Sequence, residues 1–205
     1  MATDVVRVDP VAPDDVLVGK AADVLRRGGL VAFPTETFYG LGAAALDAAA
    51  VRRVFDVKGR PSSMPLLVLI DAASSLQQLV LDVPQRARPL MDRHWPGALT
   101  LVFRAAPHLP AELTAGTGTV GVRVPKHQVA RALVAHLGAP VTAPSANPTG
   151  GAPPTTAEGV LAHFRDVLDL VLDGGPTPGG APSTVVDVTV DPPRVLRHGA
   201  ITLSL

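Results

Sequence analysis

The chain has 205 residues, 47% of them hydrophobic, which is enough length and apolar content to bury the core of one sizeable domain. Its 18 lysines and arginines balance 18 aspartates and glutamates, so net charge alone would not hold it on nucleic acid. Cysteine is absent, which excludes disulfides and thiolate metal sites, and none of the six histidines pair at the close spacing of metal ligands on a helix.

The first part of the chain alternates between helical and extended patterns. A helix is predicted from Asp14 to Gly29, because acidic residues stand at its start and arginines followed by glycine at its end. A buried strand "LVAF" follows, and the polar turn "PTETFYGLG" comes directly after it. A second helix with an aspartate cap is predicted from Asp47 to Gly59, before the short, uniformly apolar strand "PLLVLI".

The rest of the chain continues the alternation and ends rich in strands. Helices are predicted around Ser74 to Leu81 and at Pro84 to His94, His127 to Leu137 and Thr156 to Phe164. Strands are predicted at "LTLVF", "TVGVRV", near Val141, and at "LDLVL", "STVVDVTV" and "RVLR". This order predicts a layered α/β or α+β fold in which some of the late strands pair antiparallel.

Two segments rich in proline and glycine, "PTGGAPPT" and "DGGPTPGGAPST", resemble linkers. We interpret them as loops of one domain, because the elements beside them are too short to build a separate core. The N-terminus lacks an apolar run of signal length, and no segment reaches the roughly 18 apolar residues of a membrane span. We therefore expect a cytoplasmic protein that does not enter the membrane.

Polar side chains gather in five segments at the ends of predicted strands and helices. These segments contain Thr35 and Glu36; Lys58 and Arg60; Thr119 and Arg123; Thr142, Ser145 and Asn147; and Ser183 and Arg197. Most have an ordinary structural explanation, such as a threonine cap, cations at a helix end or an Asx-turn. Arg123 differs because it lies in an apolar strand pattern, and a buried arginine needs an anionic partner.

The set as a whole points to an anion site if its members converge on one cavity. Arginine, lysine and neutral donors at turns would bind several phosphates, or a phosphate chain together with a carboxylate. No P-loop is present, and "GTGTVG" runs into a strand where a dinucleotide-binding turn needs a helix. Neither a nucleophile elbow nor a cysteine nucleophile occurs, so covalent catalysis has no candidate.

Seven segments carry a more specific signal through their order: "PTETFYGLG", "KGRP" with "PL", "WPGALT", "VGVRVPKH", "APSANPTG", "DGG" with "STVVD", and "LRHG". From about Leu17 to Ile201 the chain resembles the YrdC-like family, the threonylcarbamoyl-adenylate synthases. The resemblance implies a YrdC-like fold, with a single twisted mixed sheet flanked by helices and a large open basic cavity. Residues 1–205 would form one catalytic domain, without an additional C-terminal domain.

The resemblance also implies a reaction and its partners. L-threonine, bicarbonate and ATP would give threonylcarbamoyl-AMP and pyrophosphate, the first step toward threonylcarbamoyladenosine in tRNA. Mg²⁺ would arrive with ATP, held by phosphate oxygens and water, so we predict no metal site made by the protein. Downstream tRNA-modification proteins would accept the adenylate, and tRNA itself would bind weakly.

Carried onto matching positions, the resemblance implies two ligand sets. Threonine would be held by Thr35, Arg123, Thr142 and Ser183, with the arginine on the carboxylate and Thr142 acting through its backbone. ATP would be held by Lys58, Arg60, Thr119, Ser145, Asn147 and Arg197, of which Lys58 and Arg60 would also be catalytic.

Three positions depart from the family's pattern. Met64 stands where many members have asparagine, and Leu69 stands where some have histidine. Pro182 stands where glutamate is often found. Each departure removes a polar side chain from the expected site. Glu36 has two open roles, either orienting a neighbouring arginine or holding the amine of threonine.

Two other functions compete with the synthase. The same basic concavity could hold tRNA or double-stranded RNA without turning over ATP, although the neutral net charge and 3% aromatic content argue against an RNA surface. The second alternative is a related enzyme of metal-centre maturation that forms a carbamoyl-adenylate. Such an enzyme would prefer carbamoyl phosphate to threonine.

Overall fold

The computed structural model describes residues 2–203, which contain ten strands, six α-helices and two short 3₁₀ helices. The strands are β1 Asp4–Arg7, β2 Val31–Pro34, β3 Tyr39–Gly42, β4 Leu67–Leu69, β5 Leu99–Arg104, β6 Thr119–Arg123, β7 Val141–Thr142, β8 Leu170–Asp173, β9 Thr184–Asp187 and β10 Arg194–Arg197. The α-helices are α1 Asp15–Arg26, α2 Ala48–Lys58, α3 Arg88–His94, α4 Ala111–Thr114, α5 Gln128–Leu137 and α6 Ala157–Phe164. The 3₁₀ helices are Ala73–Gln78 and Gln85–Ala87.

The strands form two mixed sheets. One has four strands in the order β1-β8-β2-β3, and the other has six in the order β10-β9-β5-β6-β4-β7. β1 and β2 both pair parallel with β8, β5 pairs parallel with β9, and the late pair β9/β10 is antiparallel. The predicted α/β class and mixed pairing are therefore confirmed.

The single sheet expected from the sequence is divided where β3 meets β7. Hydrogen bonds cross this line, from Leu41 N to the Pro144 carbonyl at 2.7 Å and from Ala45 N to the Pro140 carbonyl at 2.9 Å. Only isolated bridges form here, Gly40 to Ser145 and Ala44 to Val141. Prolines flank β7 on both sides and have no N–H to donate, which explains why a regular ladder does not continue across the two sheets.

The helices begin and end where their capping residues predict. The Asp14 side chain accepts hydrogen bonds from two backbone N–H groups in the first turn of α1, and Asp47 does the same for α2. α2 ends at Gly59, which has a left-handed φ of 54°. This glycine reverses the chain between Lys58, the last residue of the helix, and Arg60.

Hydrophobic side chains fill two clusters on the faces of the sheets. In one, α1 and α5 pack on the four-stranded sheet through residues such as Leu25, Leu133 and Phe33. In the other, α2 and α6 join the six-stranded sheet, to which β5 contributes Leu99, Leu101 and Phe103. Because side chains alternate along a strand, Thr100 and Val102 point to the opposite face of β5. That opposite face carries the candidate site.

Several elements differ from the sequence prediction. β1, β3 and α4 were not predicted, and the helix expected around Ser74 to Leu81 is the 3₁₀ helix Ala73–Gln78. β3 contains two glycines, which have a low propensity for strands. Its antiparallel pairing with β2 stabilises the strand despite that low propensity. Gly42 also lets the Phe33 ring approach, since a Cβ there would lie 2.8 Å from Phe33 Cε1. Within residues 2–203, no helix is long and apolar enough to cross a bilayer.

Candidate functional site

An open cavity of about 450 Å³ lies on the face of the six-stranded sheet that is turned away from the core. Thr100, Val102, Gly121 and Arg123 contribute to it from β5 and β6. The other walls come from the turn after β2, the segment after α2, the turn after β7, and the segment around Ser183 with β10. The structure thus brings all five polar segments of the sequence to this region.

Three arginines line the cavity: Arg60, Arg123 and Arg197. Arg197 donates from Nε and Nη2 to the Ser183 carbonyl at 3.1 and 2.8 Å, and Arg60 donates to the carbonyls of Met64 and Pro65 at 3.0 Å. Burial lowers the pKa of Arg60, and the charge of Arg197 adds to the effect; burial and the charge of Arg123 act on Arg197 in the same way. Arg197 is therefore close enough to both Arg60 and Arg123 for their charges to repel, which favours an anionic ligand near it.

Arg123 has the anionic partner that its strand position requires. Its Nη2 lies 2.7 Å from Glu36 Oε1, and its Nε donates to the Gly97 carbonyl at 3.1 Å. Only 4% of Arg123 is exposed. Burial raises the pKa of Glu36, but the charge of Arg123 and the backbone N–H of Lys126 outweigh burial and hold this pKa below its usual value. Glu36 is therefore a carboxylate at neutral pH and forms a buried ion pair with the arginine.

Lys58 does not line the cavity. It is 3% exposed, and its Nζ donates to the backbone carbonyls of Ser145 and Asn147. Burial, followed by the charge of Arg60, lowers the pKa of Lys58 to about 8. Its contact is thus with the turn that carries Ser145, and Ser145 itself does line the cavity.

Thr142 and Asn147 also lie behind the cavity surface. The Thr142 hydroxyl donates to the Leu41 carbonyl at 3.1 Å and accepts from Ala43 N at 2.9 Å, which ties β3 to β7. Asn147 Nδ2 donates to the carbonyls of Pro148 and Gly151, at 2.7 and 2.8 Å. Asn147 Oδ1 is buried without a hydrogen-bond partner. Both side chains therefore shape the backbone around the site.

Thr35, Thr119 and Ser183 are in the cavity lining, as the sequence predicts for ligand-binding residues. The Thr35 hydroxyl donates to the Phe38 carbonyl at 2.7 Å and lies 3.1 Å from the Thr37 hydroxyl. Ser183 Oγ accepts from Arg197 Nη2 at 3.0 Å. These hydroxyls are thus already held in hydrogen-bond networks that fix their positions at the cavity wall.

Two threonines of the cavity lining, Thr37 and Thr100, were not among the predicted site residues. Thr100 Oγ1 lies 2.9 Å from Ser183 Oγ and is almost fully buried. Its signal in the sequence was a single polar residue in the strand "LTLVF", on the face opposite to the apolar side chains. Thr37 is the last residue of the turn "PTET", for which the sequence predicted only Thr35 as a ligand.

The three departures from the family's pattern have different surroundings. Pro182 lines the cavity. Leu69 is the cross-strand partner of Arg123, yet it is fully buried and is not part of the lining. Met64 is 42% exposed and contacts Arg60 through its backbone carbonyl. Only the Pro182 position therefore changes the cavity surface directly.

The model of the Sua5/YciO/YrdC family, described as telomere recombination, matches residues 23–199. The chain belongs to this family. It is 45% identical over 183 residues to the threonylcarbamoyl-AMP synthase of Pyrococcus abyssi, covering 89% of this chain and 54% of that protein. It is 40% identical over 173 residues to the synthase of Thiobacillus denitrificans, covering 84% of this chain and 90% of that protein.

Solved structures of Sua5/YciO/YrdC proteins share the fold. The crystal structure of P. abyssi Sua5 complexed with L-threonine aligns with a TM-score of 0.93 and 43% identity, over 96% of this chain and 58% of that one. Escherichia coli YciO aligns with a TM-score of 0.88 and 28% identity, over 97% and 96% of the two chains. The chain spans a little over half the length of the P. abyssi and Bacillus subtilis synthases, 54% and 56%.

Membership of the Sua5/YciO/YrdC family confirms the resemblance read from the seven segments. The roles of individual residues in the cavity stay predictions. The geometry divides the predicted set into residues at the cavity surface, which are Thr35, Arg60, Thr119, Arg123, Ser145, Ser183 and Arg197, and residues behind it, which are Lys58, Thr142 and Asn147.

Proposed function

We propose that this chain is an L-threonylcarbamoyladenylate synthase, which converts L-threonine, bicarbonate and ATP to threonylcarbamoyl-AMP and pyrophosphate. The observation that carries this proposal is its 43% identity, over 96% of the chain, to a Sua5 structure complexed with L-threonine. The cavity adds chemical support, because three arginines and several hydroxyls line it. These groups suit ligands that together carry a carboxylate, a carbamate and a triphosphate.

The proposed chemistry needs positioning more than a strong base. The amine of threonine adds to carbon dioxide derived from bicarbonate, and the resulting carbamate attacks the α-phosphorus of ATP with pyrophosphate as the leaving group. Attacking and leaving groups are both anionic, so cations must hold them together. Fixed donors aimed at such developing charge commonly contribute ~10²–10³ each to the rate.

The residue roles follow from which groups reach the cavity surface. We assign Arg123 to the carboxylate of threonine, with Thr35 and Ser183 as neutral donors beside it. Arg60, Arg197, Thr119 and Ser145 are assigned to ATP and to the departing pyrophosphate. Lys58, Asn147 and Thr142 contribute indirectly, by fixing the turn of Ser145 and the contact between β3 and β7.

ATP is a substrate in this proposal, and Mg²⁺ enters with it on phosphate oxygens and water. Across residues 2–203, no three histidine, aspartate or glutamate side chains gather as a cluster that would hold a metal ion. We further propose residues 1–205 as one catalytic domain acting in the cytoplasm. Proteins that transfer the adenylate's threonylcarbamoyl group to tRNA would use its product.

The test is pyrophosphate release from ATP with threonine or bicarbonate omitted in turn, combined with mass detection of the product. We expect release only when both are present, together with a mass equal to threonylcarbamoyl-AMP. Release that is indifferent to threonine would contradict the synthase. RNA binding with a steep salt dependence and no ATP turnover would favour the RNA-binding alternative instead.

A further inference from the structure

Glu36 lies behind the arginine that we assign to threonine. Arg123 lines the cavity and Glu36 does not, although Glu36 Oε1 is 2.7 Å from Arg123 Nη2. The same oxygen accepts a hydrogen bond from the backbone N–H of Lys126 at 3.0 Å, which anchors the carboxylate to the segment after β6. The exposed fractions are 5% for the Arg123 side chain and 17% for that of Glu36. A pair this buried restrains both partners more than a surface pair does.

The pair keeps unused hydrogen-bonding capacity. Arg123 Nη2 lies 2.7 Å from Glu36 Oε1 as an ion pair, but this buried nitrogen makes no hydrogen bond of regular geometry. Glu36 Oε2 is also buried without a partner. Buried polar atoms in this state are costly. A ligand that brings a carboxylate to Arg123 would remove part of that cost.

The negative charge of Glu36 makes the positive charge of the cavity smaller around Arg123 than around Arg60 and Arg197. Among the residues that the structure describes, Arg123 is the only one of the three lining arginines with a carboxylate within 4.0 Å. Arg60 and Arg197 donate to uncharged backbone carbonyls and a serine hydroxyl. A phosphate chain with several negative charges therefore gains most at Arg60 and Arg197. Glu36 already neutralises part of the charge of Arg123. This arginine therefore better accommodates an amino acid, which has a singly charged carboxylate and a nearby ammonium group.

We propose that Glu36 is a positioning residue that determines which ligand takes which arginine. It fixes the Arg123 guanidinium for the α-carboxylate of the amino acid, and its charge directs the phosphates of ATP and pyrophosphate to Arg60 and Arg197. This inference rests on the proposed function, because it takes an amino acid and ATP as the two ligands.

The first test is Glu36→Gln, which keeps the size of the side chain and one carbonyl oxygen but removes the charge. The KM for L-threonine should rise about tenfold or more, since the arginine loses its buried partner. The KM for ATP should stay within about twofold. In the wild type, pyrophosphate should be a competitive inhibitor with respect to ATP alone. In the variant, it should also inhibit competitively with respect to threonine. A purely structural role would not produce that new competition.

Two further variants separate the proposed role from general damage. Adding Glu36→Gln to Arg123→Ala should not raise the threonine KM beyond that of Arg123→Ala alone, because Glu36 acts through Arg123. Glu112→Gln is the matched control, since it breaks another Arg–Glu pair, with Arg52, whose members are not in the cavity lining. It should leave both KM values unchanged. Should Glu36→Gln fail to fold, Glu36→Asp keeps the charge and should preserve competition of pyrophosphate with ATP alone.

The contrary outcomes are distinct. An active Glu36→Gln enzyme with an unchanged threonine KM and an unchanged pyrophosphate pattern would overturn this inference and leave the synthase intact. An additive effect of Glu36→Gln in the Arg123→Ala background would also overturn it. Wild-type protein without threonine-dependent pyrophosphate release would overturn the proposed function and this inference with it.

Discussion

Lys58 and Arg60 are two positions apart, yet their charged groups reach different surroundings. Lys58 is the last residue of α2, and its Nζ contacts the backbone of the turn that carries Ser145. Gly59 reverses the chain through its left-handed conformation, and Arg60 then lines the cavity. Short spacing in sequence therefore indicated a shared site without indicating that one cation contacts the backbone and the other lines the cavity.

The buried position of Lys58 predicts a pH dependence of stability. Its pKa is about 8 in the folded chain and has the ordinary lysine value of 10.5 in the unfolded chain, so between these values the unfolded state binds more protons. Stability from this residue should consequently rise with pH across that window. We expect the free energy of unfolding of the wild type, measured with urea, to increase relative to Lys58→Met from about pH 8 to 10.5. A constant difference across the window would contradict this prediction.

At the level of elements, the hairpin of β2 and β3 brings the turn "PTET" to the cavity. The Thr35 N–H donates to the Phe38 carbonyl at 3.2 Å and closes the turn, while β3 continues toward β7. This arrangement requires close packing of Phe33 on the glycines of β3. The glycines that made the segment look like a loop are thus what permits the strand to fit.

Gly42→Ala should test that packing. The new Cβ would lie 2.8 Å from Phe33 Cε1 and 3.0 Å from Val141 Cγ1, so we expect a loss of about 1–3 kcal/mol in the free energy of unfolding. Gly19→Ala is the control, since nothing lies within 4 Å of a Cβ there in α1. It should stabilise by about 0.5–1 kcal/mol, because alanine suits a helix interior better than glycine. Urea unfolding measures both, and equal effects would contradict the packing argument.

For the whole molecule, a formal net charge of zero coexists with a cavity to which the described part of the chain, residues 2–203, contributes three arginines and no acidic residue. Acidic side chains are placed elsewhere, many of them in ion pairs or helix caps such as those of Asp82, Asp14 and Asp47. A neutral composition therefore does not exclude a local anion site. A polyanion bound there should stabilise the folded chain by mass action.

Inorganic pyrophosphate provides the measurement. At 100 times its dissociation constant it should add about 2.7 kcal/mol to the free energy of unfolding, seen as a higher Tm at ionic strength matched with sodium chloride. The double variant Arg60→Ala with Arg197→Ala should lose most of this shift, because both arginines line the cavity. Arg52→Ala, an exposed arginine of α2 outside the lining, should keep it. An equal shift in all three proteins would contradict the site.

The sequence by itself determined the capped helices, most strands, the α/β class and, through seven ordered segments, the family. These features depend on local capping chemistry, alternation and short motifs, which act within a few residues. Tertiary structure alone decided the division into two sheets at the prolines around β7, the pairing of Glu36 with Arg123, and the burial of Lys58, Thr142 and Asn147 behind the cavity. Each of these depends on contacts between residues up to about a hundred positions apart, such as those joining Leu41 and Thr142. A long-range contact is set by how the sheets and helices pack, and the local sequence indicates which face of an element is apolar but not which other element that face will meet.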